Sequence, residues 1–137
     1  MASELNPYLH FNGTARQAME FYRDVFGGEL TLTTFADFGT ADGADADKIM
    51  HAQLQTSAGY TIMGSNVPSH MEYRPPSAFA VSLSGDDSAL HGYFEKLSAG
   101  GTIEMPLAKQ PWGDEFGMLA DQFGISWMVN ISQPQQA

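Results

Sequence analysis

Gly59 and Gly124 stand 65 positions apart, and that shift aligns two halves of the chain. It sets His51 on Phe116, Leu54 on Leu119, Ile62 on Trp127 and Met63 on Met128. Earlier in each half a helical pattern stops at a glycine pair, Gly27-Gly28 and Gly100-Gly101, 73 positions apart. The difference fits a longer loop in the first half, the aspartate-rich stretch 37–48. Repetition on this scale restricts the chain to folds built by pairing one supersecondary unit with a second copy of itself. Neither half can easily bury its sheet face alone, so the halves are expected to share a core.

The unit is strand, helix, strand, strand, strand. Residues 5–11 alternate, with Leu9 and Phe11 on one face and Tyr8 and His10 on the other. Thr14 to Gln17 has the spacing of a capping box. Ala18, Phe21, Tyr22, Val25 and Phe26 then give the apolar stripe of a helix over 14–27. Strands are predicted at 29–35, 49–56 and 60–66, the last two as a hairpin around Ser57-Ala58-Gly59. Val67 to Pro76 holds three prolines and reads as a linker.

The second half runs through a strand over 77–83, in which Phe79, Val81 and Leu83 alternate. A helix over 86–99 follows, capped by Asp86 or Asp87, with Leu90, Tyr93, Phe94 and Leu97 apolar. Strands at 102–107, 116–120 and 125–131 complete it, with a turn at Pro111-Trp112-Gly113-Asp114. Stretch 37–48 reads as an exposed, mobile loop and 133–137 as a frayed end. The expectation is a single α+β domain over 1–137, with modules at about 5–66 and 77–131 and a mixed sheet.

Composition narrows the function. Sixteen acidic residues against six basic ones give a formal charge of -10. Such a surface repels phosphate, so neither nucleic acid nor an anionic membrane is an expected partner. The absence of cysteine excludes disulfides, thiolate catalysis and cysteine zinc sites. No apolar run approaches the roughly 18 residues of a membrane span, and Met1 to Pro7 lacks a signal-peptide pattern. A soluble cytoplasmic protein is expected. No Gly-x-Ser-x-Gly elbow or phosphate-binding glycine loop occurs.

Several strings are specific: Pro7-Tyr8-Leu9 with Phe11, Phe21-Tyr22 before Gly27, and Met50-His51-Ala52. The longest are Trp112-Gly-Asp-Glu-Phe-Gly117 and Asp121-Gln-Phe-Gly-Ile-Ser-Trp-Met-Val-Asn130. From about residue 5 to 131 the chain resembles the PhnB-like branch of the vicinal oxygen chelate superfamily, the glyoxalase and bleomycin-resistance group. The resemblance implies two βαβββ modules whose sheets curve around a cup, and a homodimer. Metal-dependent members carry a histidine or glutamine in the first strand of each module and a glutamate in the last. Here those positions fall near Asn6 and Phe79 and on Met63 and Met128. A thioether is a poor ligand for a hard or borderline dication, so no metal and no cofactor is expected. The branch's names suggest phosphonate metabolism and demethylubiquinone methylation. The chain shows neither clustered Arg and Lys nor a glycine-rich methyl-donor motif after a strand.

Among the four histidines, His91 is expected on a helix surface and His70 in the exposed linker. His51 shares a strand face with Gln53 and is the candidate general base, or a hydrogen-bonding group for a ligand. A histidine held by a structural hydrogen bond is the alternative. Tyr8, Gln53, Met63, Phe79, Trp112, Phe116, Met118 and Met128 are the candidate ligand-binding residues. Methionine and aromatic linings suit flat or soft organic molecules, although the same side chains would also fill a closed core. Glu104, Asp114 and Glu115 read as a solvated rim. The expected function is metal-free binding of a small organic molecule, a cationic one being favoured by the acidic charge. The alternative is a lyase, isomerase or dioxygenase type of enzyme that uses His51 as base or an atypical metal.

Overall fold

The computed structural model describes residues 3–39 and 43–133. The chain divides into two compact units, Met1–Arg74 and Pro75–Ala137. In the first, β1 (Tyr8–Phe11), α1 (Ala15–Phe26), β2 (Glu29–Thr34), β3 (Ile49–Gln55) and β4 (Thr61–Asn66) form one module. In the second, β5 (Val81–Gly85), α2 (Ala89–Ser98), β6 (Thr102–Lys109), β7 (Glu115–Ala120) and β8 (Ser126–Ile131) form the other. The sheet orders correspond, β1-β4-β3-β2 and β5-β8-β7-β6. Each has one parallel pair, β1 with β4 or β5 with β8, and is otherwise antiparallel. The expected α+β fold of two βαβββ modules is therefore present, and the register confirms the 65-residue shift. Gln53 pairs Met63 as Met118 pairs Met128, and Leu54 pairs Ile62 as Leu119 pairs Trp127.

Each module buries one sheet face under its own helix. In the first module Leu9, Phe11, Ala52, Leu54 and Ile62 meet Ala18, Met19, Tyr22 and Phe26 of α1, all buried. Six buried positions on the 12-residue α1 give it a stripe broad enough to cover that face. Met19 takes a core place not assigned from sequence, while Phe21 is only half-buried. In the second module Leu83, Leu119, Trp127, Val129 and Ile131 pack with Leu90, Phe94 and Leu97 of α2.

The repeated glycine pairs have a steric cause. A Cβ on Gly28 would lie 2.0 Å from the Gln55 carbonyl oxygen, and one on Gly101 would lie 2.3 Å from that of Ala120. The chain leaving each helix passes directly against the end of the third strand of its module, and only glycine fits there.

Local details differ from the sequence expectations where a distant residue intervenes. Thr14 stands at the N-cap of α1 but makes no side-chain cap bond. The Ala15 N–H donates instead to Asn66 Oδ1 at the end of β4 (2.9 Å), so the helix is capped from the sheet. Ser88 occupies the N-cap of α2, and Asp87 accepts from the Ala89 N–H (2.9 Å). β5 begins at Val81 rather than near Ser77. Two 3-10 turns, Ala36–Phe38 and Gly43–Asp45, occupy much of stretch 37–48. The expected loop at 40–42 and the frayed residues 134–137 lie outside the described residues. Among the described residues no helix is long and apolar enough to cross a membrane.

Candidate functional site

The sheet face turned away from α1 carries the first group of candidates. β-strand alternation sends Leu9, Ala52, Leu54 and Ile62 under the helix and leaves Tyr8, His51, Gln53 and Met63 on the far face. Register sets Thr31 beside Gln53, Gln53 beside Met63, and Met63 beside Tyr8 in one row across the four strands. His51 lies in the next row, beside Thr33. Tyr8 is 40% exposed, whereas His51, Gln53 and Met63 are half-buried. The Tyr8 hydroxyl lies 3.4 Å from His51 Nδ1, at the long limit of a hydrogen bond. The Tyr8 ring contacts both imidazoles, with centroids 5.2 Å from His10 and 5.8 Å from His51.

The far face of the second module carries the other group. Met105, Met118 and Met128 are consecutive partners across β6, β7 and β8, and Ser82 stands beside Met128. Phe116 is next along β7, beside Ala108 and Asn130. Trp112, 62% exposed on the β6–β7 turn, meets Phe116 edge-on at 6.1 Å. Phe79 is corrected: it precedes β5, is 56% exposed and belongs to neither face. The register puts Ala80, not Phe79, at the position equivalent to Asn6. Within each module the structure thus brings the remaining candidates together.

The metal set implied by the resemblance does not fit these residues. Met63 and Met128 hold the last-strand positions, and their row neighbours supply an amide, thioethers, a phenol and hydroxyls. Among the described residues no three His, Asp or Glu side chains converge on one point. Hard or borderline dications need such donors.

The strings that carry the resemblance are largely architectural. Asp121, buried, accepts from the Phe123 and Ile125 N–H groups through Oδ1 (2.9 and 3.1 Å) and from the Trp127 indole through Oδ2 (2.9 Å). Asp114 accepts from the Asn130 amide (3.0 Å). Glu115 accepts from His91 Nε2 (2.8 Å), while His91 Nδ1 donates to the Ser88 carbonyl (3.1 Å). The Glu115 hydrogen bond, helped by the Ser88 carbonyl, raises the His91 pKa above its ordinary 6.5. Asp114 and Glu115 are therefore half-buried and bonded rather than parts of a solvated rim; Glu104 is exposed, as expected.

A second feature of the first module was not legible from the sequence. A cleft of about 310 Å³ opens between the sheet and the segment after β4, and it is lined by His10, Phe35, Met50, Asn66, His70 and Met71 among others. That segment is pinned down by Ser69, whose hydroxyl donates to Asp45 (2.6 Å) and whose N–H lies 3.2 Å from both Asp45 oxygens. Lys48 completes the clamp at 3.0 Å. The Ser69 hydroxyl and then Lys48 hold the Asp45 carboxyl below its ordinary pKa of 3.8. His10 and His70 are sixty residues apart, so no local spacing signals their meeting.

Comparison with known proteins agrees with this architecture. The sequence model of the family described as 3-demethylubiquinone-9 3-methyltransferase matches residues 3–130. Protein YjdN of Escherichia coli (strain K12) is 27% identical over 144 residues, covering 96% of this chain and 97% of that protein. The crystal structure of protein PA1353 from Pseudomonas aeruginosa is 34% identical with a TM-score of 0.83, over 97% of this chain and 100% of that one. A glyoxylase/bleomycin resistance protein/dioxygenase domain from Frankia sp. EAN1pec shares the fold at 13% identity, with a TM-score of 0.65 over 97% of this chain and 99% of that one. The chain belongs to the 3-demethylubiquinone-9 3-methyltransferase family, and it shares its fold with the glyoxylase/bleomycin resistance protein/dioxygenase domain.

Proposed function

We propose that this protein binds small organic molecules on the far face of each module's sheet, without a divalent metal. One observation carries the reading: Met63 and Met128 occupy matching register positions at the centre of those faces, each half-buried. A thioether offers a polarizable contact to an organic ring and little to a hard ion. Tyr8, His51 and Gln53 add the few polar groups that fix orientation in such a site. The net charge of -10 favours a cationic ligand over an anionic one. Methyl transfer, named in the family description, finds no support in the β1–α1 turn. That turn is Asn12-Gly13-Thr14, with no glycine-rich cradle for a nucleotide-linked methyl donor.

A second reading is favoured by the Tyr8 hydroxyl 3.4 Å from His51 Nδ1. A phenol in that place orients the imidazole, and an oriented imidazole acts as a general base in a lyase, isomerase or dioxygenase type of reaction. We also propose a homodimer, because each sheet ends in open edge strands.

A thermal-shift screen of aromatic and cationic compounds tests the first reading, since a ligand at a hundred times its Kd adds roughly 2.7 kcal/mol. A hit whose affinity falls in His51→Ala supports it. Stoichiometric uptake of nickel, zinc or manganese by the purified protein overturns the metal-free element. Ligand consumption that stops in His51→Ala favours the enzyme. A sedimentation mass near that of one 14.9 kDa chain at micromolar concentration overturns the dimer.

A further inference from the structure

We propose that the cleft between the sheet of the first module and residues 67–71 is a further binding site, for a small, neutral aromatic molecule bearing a hydroxyl or carbonyl group. The proposal rests on the reading above for the premise that the protein binds small organic molecules; the cleft adjoins the far-face residues, since the Tyr8 ring contacts His10, but its lining is made of other residues.

Two independent structural devices converge on this cleft. The first is a bulge. Thr33 pairs with His51 and Thr34 pairs with Ile49, so Met50 is the extra residue of β3. Strict alternation would turn Met50 under α1 beside Ala52. The shift puts Ile49 there, 1% exposed, and sends Met50 into the cleft with His10. The second is the Ser69–Asp45 clamp, which fixes the opposite wall and so sets where His70 and Met71 stand. The Val67 N–H donates to the Phe11 carbonyl (2.9 Å), which ties the start of that wall to the sheet, and the Met71 N–H donates to the Pro68 carbonyl (3.0 Å), which closes a turn within it.

The lining selects the ligand. Each wall supplies one imidazole and one thioether, His10 with Met50 from the sheet and His70 with Met71 from the segment after β4. Thioethers on both sides and the Phe35 ring favour an aromatic body. The imidazoles, each able to donate and accept, suit a hydroxyl or carbonyl substituent. No Asp, Glu, Lys or Arg lines the cleft among the described residues, so no fixed charge holds an ion. The volume lies at the lower end of the range for ligand pockets, roughly 300–1,000 Å³, and exceeds what a bare ion needs.

The test uses 2-naphthol as the neutral probe and 2-naphthoate as its charged counterpart, with binding followed by calorimetry on the full chain. Saturable binding of one 2-naphthol per chain is expected, with 2-naphthoate weaker by about tenfold or more. Met71 is 60% exposed and His70 is exposed, so Met71→Ala and His70→Ala retain the fold. Each is expected to weaken 2-naphthol by about tenfold. Glu72→Ala, on the same segment but outside the lining, is expected to leave binding unchanged. Equal affinity for the two probes, indifference to Met71→Ala and His70→Ala, or no saturable binding of 2-naphthol overturns the proposal. If 2-naphthol fails while a screened compound binds in a His51-dependent manner, the cleft site falls and the far-face reading stands. If no compound binds at all, both fall.

Discussion

The two modules keep one sheet face in common and differ on the other. Under the helices Leu9 corresponds to Leu83, Leu54 to Leu119 and Ile62 to Trp127, all buried. On the far faces Tyr8 corresponds to Ser82, His51 to Phe116 and Gln53 to Met118. The helix-covered face carries folding energy and tolerates only apolar exchange. The far face lacks that restriction, so one copy has become polar and histidine-bearing while the other has become methionine-rich and aromatic. Met63 and Met128 are the far-face positions where the copies agree in residue type.

The two hairpin turns give the comparison its sharpest test. Thr56 and Asp121 hold the same place: each N–H donates to the carbonyl four residues on, and each carbonyl accepts from the glycine three residues on. Thr56 Oγ1 accepts from the Tyr60 N–H alone (2.9 Å), whereas Asp121 serves the Phe123 and Ile125 N–H groups and the Trp127 indole. Asp121→Ala strands three donors and is expected to cost about 3–5 kcal/mol, against about 1 kcal/mol for Thr56→Ala. Both tryptophans lie in the second module, so their emission during urea denaturation reads that module, while far-ultraviolet circular dichroism follows the whole chain. Equal losses would show that the extra acceptor bonds of Asp121 contribute nothing.

A smaller effect is expected where the modules place their space differently. The cross-strand pair Ala52–Gly64 corresponds to Gly117–Val129, so each pair has one glycine, on opposite strands. A Cβ on Gly117 would lie 2.8 Å from the Phe94 ring and 2.9 Å from the Leu107 Cα. On Gly64 it would meet the Leu9 carbonyl at 3.0 Å and the Phe11 ring at 3.2 Å. Gly117→Ala is expected to cost about 1–3 kcal/mol, and Gly64→Ala less, in the same denaturation experiment. The reverse order would mean that the first module is the more tightly packed.

The smallest effect concerns charge. The shifts of 73 and 65 residues set Ala18 opposite His91 and Met50 opposite Glu115, so the His91–Glu115 pair of the second module has no charged counterpart in the first. Because folding raises the His91 pKa, its contribution is complete below pH 6.5 and disappears as pH rises through the raised value. The melting temperatures of wild type and His91→Gln should differ at pH 5.5 and converge by about pH 8.5. A difference that grows with pH would contradict the pairing. Both side chains are partly solvated, so the shift should be small.

What the sequence disclosed follows the same division. Short-range signals, such as alternation in β3, β4, β7 and β8 and the paired glycines, placed the strands and the 65-residue shift. His51 and Gln53 on one face needed only the period of a strand. Features set by distant partners were not legible. The Asn66 cap on α1 replaced an expected capping box, and the Met50 bulge broke the period locally. The meeting of His10 with His70 depends on how the segment after β4 folds back. Phe79 shows the complementary error: its alternation with Val81 and Leu83 is real, but pairing starts only at Val81.

The parallel pair in each module has a kinetic consequence. β3 and β4 zip together through a short turn and β2 joins them across segment 35–48, whereas β1 joins only after a longer loop closure, through β4. The strand synthesised first is therefore seated last. Until Asn66 has left the ribosome, α1 lacks its cap and the hairpin edge that will receive β1 stays incomplete. A nascent chain paused within β4 would expose Leu9 and Phe11 with no sheet to receive them, the kind of intermediate that chaperones bind. The same order recurs from β5 to β8, so each chain passes through that vulnerable interval twice during its synthesis.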